Sequence, residues 1–246
     1  MKTGAAFALL LAAMVLALPA AALEVLSPPV LANAGLKDQI DAFSAAAGAK
    51  VAVRTIELLK VAETARATPT DVVFATPDLL EGMKADLAPG SAVKIGRVNI
   101  VLAVRAGSPH PDISTLPKFI AALEGAKAVV YSNPDPTRGS LIAAMIDALL
   151  KRPAFAKVHR VISSKGNGAS GLINGEGDMT LQFESEILPH QELESVAPLP
   201  LELGAYVDIW GAAMAKSADS AGAKALIGFL TRPGAAAIWT EHGVKP

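Results

Sequence analysis

The sequence predicts an α/β fold, a mostly parallel sheet with helices on its faces. Three observations carry that expectation. Short apolar runs alternate with stretches whose apolar residues recur every three or four positions, the rhythm of successive β-α-β units. Hydrophobic residues make up 52% of the 246-residue chain, enough for a large core, and no cysteine is present to staple a small one. Gly and Pro fall where the runs end.

The first segment stands apart. Lys2 is followed by an uncharged apolar run of 14 residues, Ala5 to Leu18, then by Pro19 and Ala20-Ala21-Ala22. This is the three-part pattern of a secretory signal peptide over residues 1–22. The run falls short of the roughly 20 apolar residues of a membrane span. A mature chain starting at Leu23 and exported to a bacterial periplasm is therefore expected, and the absence of cysteine suits it.

Glu24 to Leu26 reads as a strand stopped by Pro28 and Pro29. Ala32 to Ala46 has Leu36, Ile40 and Phe43 on one helical face, and Gly48 ends it. Lys50 to Arg54 is a strand, Ile56 to Arg66 a helix, and Asp71 to Ala75 a buried strand. Asn99 to Val104 is a strand closed by Gly107, Pro109 and Pro111. A second set follows, with strands at Ala128 to Tyr131, Val158 to Ile162 and Met179 to Phe183, and a helix at Ser140 to Leu150. Tyr206 to Met214 is the last strand, and Ala221 to Leu230 and Gly234 to Glu241 are helices.

Several functions are excluded or disfavoured. A net charge of −1 gives no basic surface for nucleic acid. His110, His159, His190 and His242 lie too far apart for a metal-ligand spacing. Gly168-Ala169-Ser170-Gly171-Leu172 lacks the second glycine of a nucleophile elbow. The run Gly166 to Gly171 matches G-x-G-x-x-G, but Gly175 and Gly177 cut short the helix that a dinucleotide site requires. Glu184 and Glu186 read as a solvated edge. No catalytic residue, metal or cofactor is expected.

What remains suits an anion. Thr137, Arg138 and Gly139 stand before the helix from Ser140, where free N–H groups and a positive dipole end favour negative charge. Ser27, Thr55 and Thr76 also follow strands, at the ends where open β/α sheets bind ligands.

The stretches Thr70 to Thr76, Arg97 to Pro109, Tyr131 to Pro134, Gln182 to Pro189 and Ala223 to Pro246 carry a resemblance in order. They resemble the substrate-binding proteins of ABC importers, type II periplasmic fold, molybdate-binding-like branch. The resemblance implies two lobes joined by two crossover strands, about Asn99 to Arg105 and Tyr206 to Met214, with the ligand cleft between them. It implies lobe one at 23–98 plus 212–246 and lobe two at 106–205. It implies Ser27, Thr55 and the Ala75/Thr76 turn as ligand contacts from lobe one, and the Thr137-Arg138-Gly139 turn and Gln182 from lobe two. Pro28 and Pro29 withhold the next backbone donors after Ser27. Arg97 and Arg138 supply charge-assisted donors suited to a carboxylate. The expected function is a periplasmic solute-binding protein for a molybdate-like oxyanion or small organic carboxylate. Its expected partner is an ABC permease in the inner membrane, and a monomer is expected. The alternative is a secreted sensor or enzyme on the same scaffold.

Overall fold

The computed structural model describes residues 22–246. The expected signal peptide lies outside the described residues, apart from Ala22. The strands are β1 (Leu23–Ser27), β2 (Val51–Thr55), β3 (Val72–Ala75), β4 (Val93–Arg105), β5 (Val129–Tyr131), β6 (Arg160–Ile162), β7 (Met179–Phe183), β8 (Leu193–Pro198), β9 (Tyr206–Ala213) and β10 (Val244–Lys245).

They form two α/β lobes. In one, β2, β1 and β3 run parallel, and β9 and the first part of β4 continue the sheet antiparallel. In the other, β6, β5 and β7 run parallel, and the last part of β4 joins antiparallel with β8 on its far edge. The 13-residue β4 belongs to both, so the ladder is continuous across ten strands in the order β2-β1-β3-β9-β4-β7-β5-β6, with β8 and β10 also on β4.

The crossing differs in register from the sequence reading. Tyr206–Ala213 pairs with Val93–Asn99 rather than with Asn99 to Arg105, and the two expected segments meet only at Asn99 and Tyr206. The expected strand began late because Lys94, Gly96 and Arg97 interrupt the apolar pattern. Lys94 and Arg97 instead turn outward to Asp208 on the neighbouring strand.

The expected helix from Ala32 to Ala46 is broken. Gly35 takes a left-handed φ of 75°, and a Cβ there would run into the His242 ring. A regular helix resumes at Lys37–Ala47. Among the elements not anticipated are the helix Leu116–Gly125 and the strands β8 and β10. The main apolar core runs through both lobes, from Leu36 and Phe43 through Trp239 and Val98 to Phe119 and Ile146. Smaller clusters, centred on Leu58 with Val73 and on Val130 with Leu172, cover the opposite sheet faces. Each sheet is thus sandwiched, and its strand ends are the part left to form a cleft.

Candidate functional site

The C-terminal ends of β1, β2, β5, β6 and β7 lead into one cleft. It consists of an inner cavity of 180 Å³ and an outer one of 370 Å³. Glu57, Ser132, Ser140 and Asn167 line both, so the two spaces are continuous. A larger cavity of 460 Å³ beside Leu80 and Trp210 is mostly apolar and lined from one lobe alone.

The outer wall is built by two turns of the second lobe. Asp135 accepts from the Thr137 N–H at 2.9 Å and from its hydroxyl at 2.8 Å, which shapes the 3₁₀ turn Pro136–Arg138. Gly139 closes that turn at φ 74°. The helix Leu141–Leu150 follows with no side chain capping its first turn. Its opening residues Leu141 and Ile142 line the inner cavity, so its positive end is presented to the cleft. In the glycine-rich turn, Asn167 Oδ1 accepts from the Ser170 N–H at 3.0 Å and hydroxyl at 3.1 Å. The Gly168 N–H donates to Ser132 Oγ at 3.1 Å. A Cβ on Gly168 would lie 2.5 Å from Thr180 Oγ1, so this glycine serves close packing against the sheet.

The inner end is formed by β7 and the short helix Glu184–Ile187 that follows it. Gln182 is fully buried, and its Oε1 accepts from the Phe183 N–H at 3.0 Å. Its Nε2 has no partner among the described residues, nor has Glu186 Oε2. Glu186 is 7% exposed. Burial first, and then the nearby Glu57 carboxylate, push its carboxyl up to about 7. Burial also raises Glu57.

The lobes touch at both ends of the cleft. Ser185 Oγ donates to the Val30 carbonyl at 2.7 Å beneath the inner end. The Leu59 N–H donates to the Gly139 carbonyl at 3.2 Å at the mouth.

Of the residues expected from the sequence, Arg138 and Gln182 line the cleft. Gly139 sits at its rim, against Lys60 and Glu57 of the opposite lobe. Thr137 is exposed, its hydroxyl taken by Asp135. Ser27 is buried, its hydroxyl donating to the Pro28 carbonyl at 3.2 Å. Thr55 is exposed at the end of β2, Ala75 is buried in β3, and Thr76 precedes the helix Pro77–Gly82. None of these last four lines either cavity of the cleft. Nor does Arg97, whose fork is held by Asp208 through two bonds of 2.9 Å and which lies 3.6 Å over the Tyr206 ring.

Sequence reasoning missed Glu57 and Glu186; Ser132, Ser140 and Asn167, which also line the cleft, it marked only as parts of candidate anion-binding turns. Ser132, Ser140 and Asn167 lie in turns already marked by their glycines, prolines and hydroxyls. Glu186 carried the opposite expectation, that of a solvated edge. It is buried because β7 ends inside the molecule and the short helix that carries Glu186 packs beneath Val30. Chemically, the cleft offers hydroxyl and amide donors, one guanidinium, a helix end, and a carboxyl balanced near neutrality. Among the described residues, no cluster of three or more His, Asp or Glu could hold a metal ion.

A model of bacterial extracellular solute-binding proteins matches residues 23–245. An aconitate isomerase from a Pseudomonas species is 30% identical over 185 residues, 74% of this chain and 70% of that protein. The periplasmic molybdate-binding protein of Azotobacter vinelandii superposes with a TM-score of 0.68 at 17% identity, covering 91% of this chain and 99% of that one. The sulfate-binding protein SubI of Mycobacterium tuberculosis gives 0.65 at 17% identity, covering 92% and 86%. At such identities the two structures share the fold, and both are two-lobed periplasmic binding proteins.

Proposed function

The chain belongs to the bacterial extracellular solute-binding protein family, and from that premise we propose that it captures a small anion for an ABC importer. The observation that carries this reading is the convergence of Arg138, Ser132, Ser140, Asn167 and the unpartnered Gln182 amide on one cleft beside a helix N-terminus. In this reading residues 1–22 are a cleaved signal peptide, and the protein works as a periplasmic monomer with an inner-membrane permease. Lobe one comprises 23–98 with 212–246, and lobe two 106–205. No helix among the described residues is long and apolar enough to cross a membrane.

A thermal-shift screen of molybdate, tungstate, sulfate and small di- and tricarboxylates tests it. A ligand at a hundred times its Kd stabilises the native state by about 2.7 kcal/mol. For a chain of this size that is a rise of roughly 5–10 °C. A flat response to every anion refutes the reading.

A second reading has a specific observation in its favour. A carboxyl near neutrality in a cleft is suited to moving protons, and the 30% relative is named an aconitate isomerase. In that reading the protein is an enzyme that isomerises an unsaturated polycarboxylate. Proton NMR of cis-aconitate incubated with the protein distinguishes the two: the spectrum stays unchanged for a binding protein and acquires the trans isomer for an isomerase.

A further inference from the structure

The inner end of the cleft contains two unpartnered polar atoms of different kinds, an amide donor and a carboxyl oxygen, on side chains four residues apart in sequence. Buried polar groups are nearly always paired, so two orphans lining one cavity mark a place that a ligand completes. A fully ionised tetrahedral oxyanion fits only one of them. It would accept from Gln182 Nε2 but would set its own charge against Glu186, with Glu57 close by. A carboxyl group fits both, one oxygen accepting from the amide and the other sharing a proton with Glu186. The continuous outer cavity, with Arg138 and the helix end at Ser140, leaves room for a second carboxylate.

We propose that Gln182 and Glu186 form a proton-sharing subsite for one carboxyl of an organic polyacid, whose second carboxylate is held by Arg138 and the start of the helix Leu141–Leu150. This rests on the anion-binding reading and narrows it to ligands that bind with a proton. Several charged groups on the elements around Glu186 are otherwise engaged. Lys94 and Arg97 are turned to Asp208, and Arg105 to the carbonyls of Leu172 and Gly177. Glu194 faces His110. Glu184 lines neither cavity of the cleft; burial raises its carboxyl against a smaller opposing pull from Lys245, and its Oε2 also has no partner among the described residues. Glu57 faces Glu186 across the inner cavity, and Arg138 stands in the outer one. Lys60, beside Glu57 at the cleft mouth, is turned to Glu63, and among the described residues no cation is paired with Glu186, so a proton neutralises it.

Calorimetry of the mature protein with tricarballylate, trans-aconitate, succinate, molybdate and sulfate tests the subsite, in buffers of different ionisation enthalpy. The expected result is tight binding of a polycarboxylate with net proton uptake at about pH 8. Its affinity should fall toward tenfold per pH unit above about pH 7. Glu186→Gln, which donates a hydrogen bond at every pH, should abolish the uptake and flatten the profile. Gln182→Leu should weaken binding at least tenfold at every pH. Polycarboxylate binding without proton uptake, or an unchanged slope in Glu186→Gln, overturns the subsite and leaves the anion reading standing. So does binding of molybdate or sulfate in preference to every polycarboxylate. Failure of all five probes removes both.

Discussion

Replacing Glu186 with Gln should stabilise the ligand-free protein by an amount that depends on pH. The carboxyl is raised in the folded protein from 4.5 to about 7, because burial penalises its charged form and the Glu57 carboxylate adds to that. Below about pH 4.5 it is protonated in both the folded and the unfolded chain, and it costs nothing through ionisation. As pH rises toward 7 the unfolded chain releases this proton while the folded one keeps it, so stability is lost. Above the folded value both states are ionised and the loss is complete. At about 1.4 kcal/mol per pKa unit, the shift amounts to about 3 kcal/mol. Gln retains the shape of the side chain and cannot ionise. Urea unfolding of both proteins at several pH values from about 4 to 8.5 gives the comparison. The stability difference should grow by about 3 kcal/mol across that range, or roughly 6–12 °C in Tm for a chain of this length. A difference that stays constant with pH would show that Glu186 titrates normally and that the closed end of the cleft is wet.

Arg138→Ala should weaken anion binding roughly 10- to 100-fold by calorimetry, since a charge-assisted hydrogen bond contributes about 1.5–3 kcal/mol; an unchanged Kd would make Arg138 a solvated charge. Arg97→Ala should leave ligand affinity within about twofold and lower stability only slightly, because its fork is committed to Asp208 on a half-exposed face; a large loss of affinity would place it in the site after all. Gly139→Ala should hold the lobes apart, since the position has φ 74° and a Cβ would lie 2.8 Å from the Lys60 side chain. Small-angle scattering of the ligand-free variant should then show a larger radius of gyration than wild type, and an identical profile would count against that role for the contact.

The parallel strands were legible because sheets covered on both faces demand continuous apolar runs. The strand Met179–Phe183 has the bounds its sequence suggests, and the other parallel strands differ by a residue or two. The front of β4 was hidden for the converse reason: Lys94 and Arg97 meet Asp208 on a half-exposed face, so the pattern there is not apolar. β8 is half-buried and carries Glu194 and Ser195. The helix Leu116–Gly125 opens on Pro117, which a reader takes for a turn but which fits a first helical turn, where no backbone donor is needed. At the site, position near a strand end selected Arg138 and Gln182, which line the cleft, and equally Ser27 and Thr76, which do not. A strand end fixes which edge of the sheet a residue occupies, and the direction of its side chain decides whether it reaches the cleft. Glu57 and Glu186 left no trace because a solvated carboxylate and a buried one have the same letter.

The contact between Leu59 and Gly139 joins main-chain atoms only. A main-chain bond asks for no particular side chain at Leu59 and only for room beside Lys60 at Gly139, and it is separate from the groups that line the inner cavity. The same separation bears on how such a scaffold diversifies. The groups that line the cleft, Arg138, Gln182 and Glu186, take no part in that bond and can be exchanged one at a time without removing it. The lining of the cleft can thus change on this frame while the contact between its lobes stays as it is.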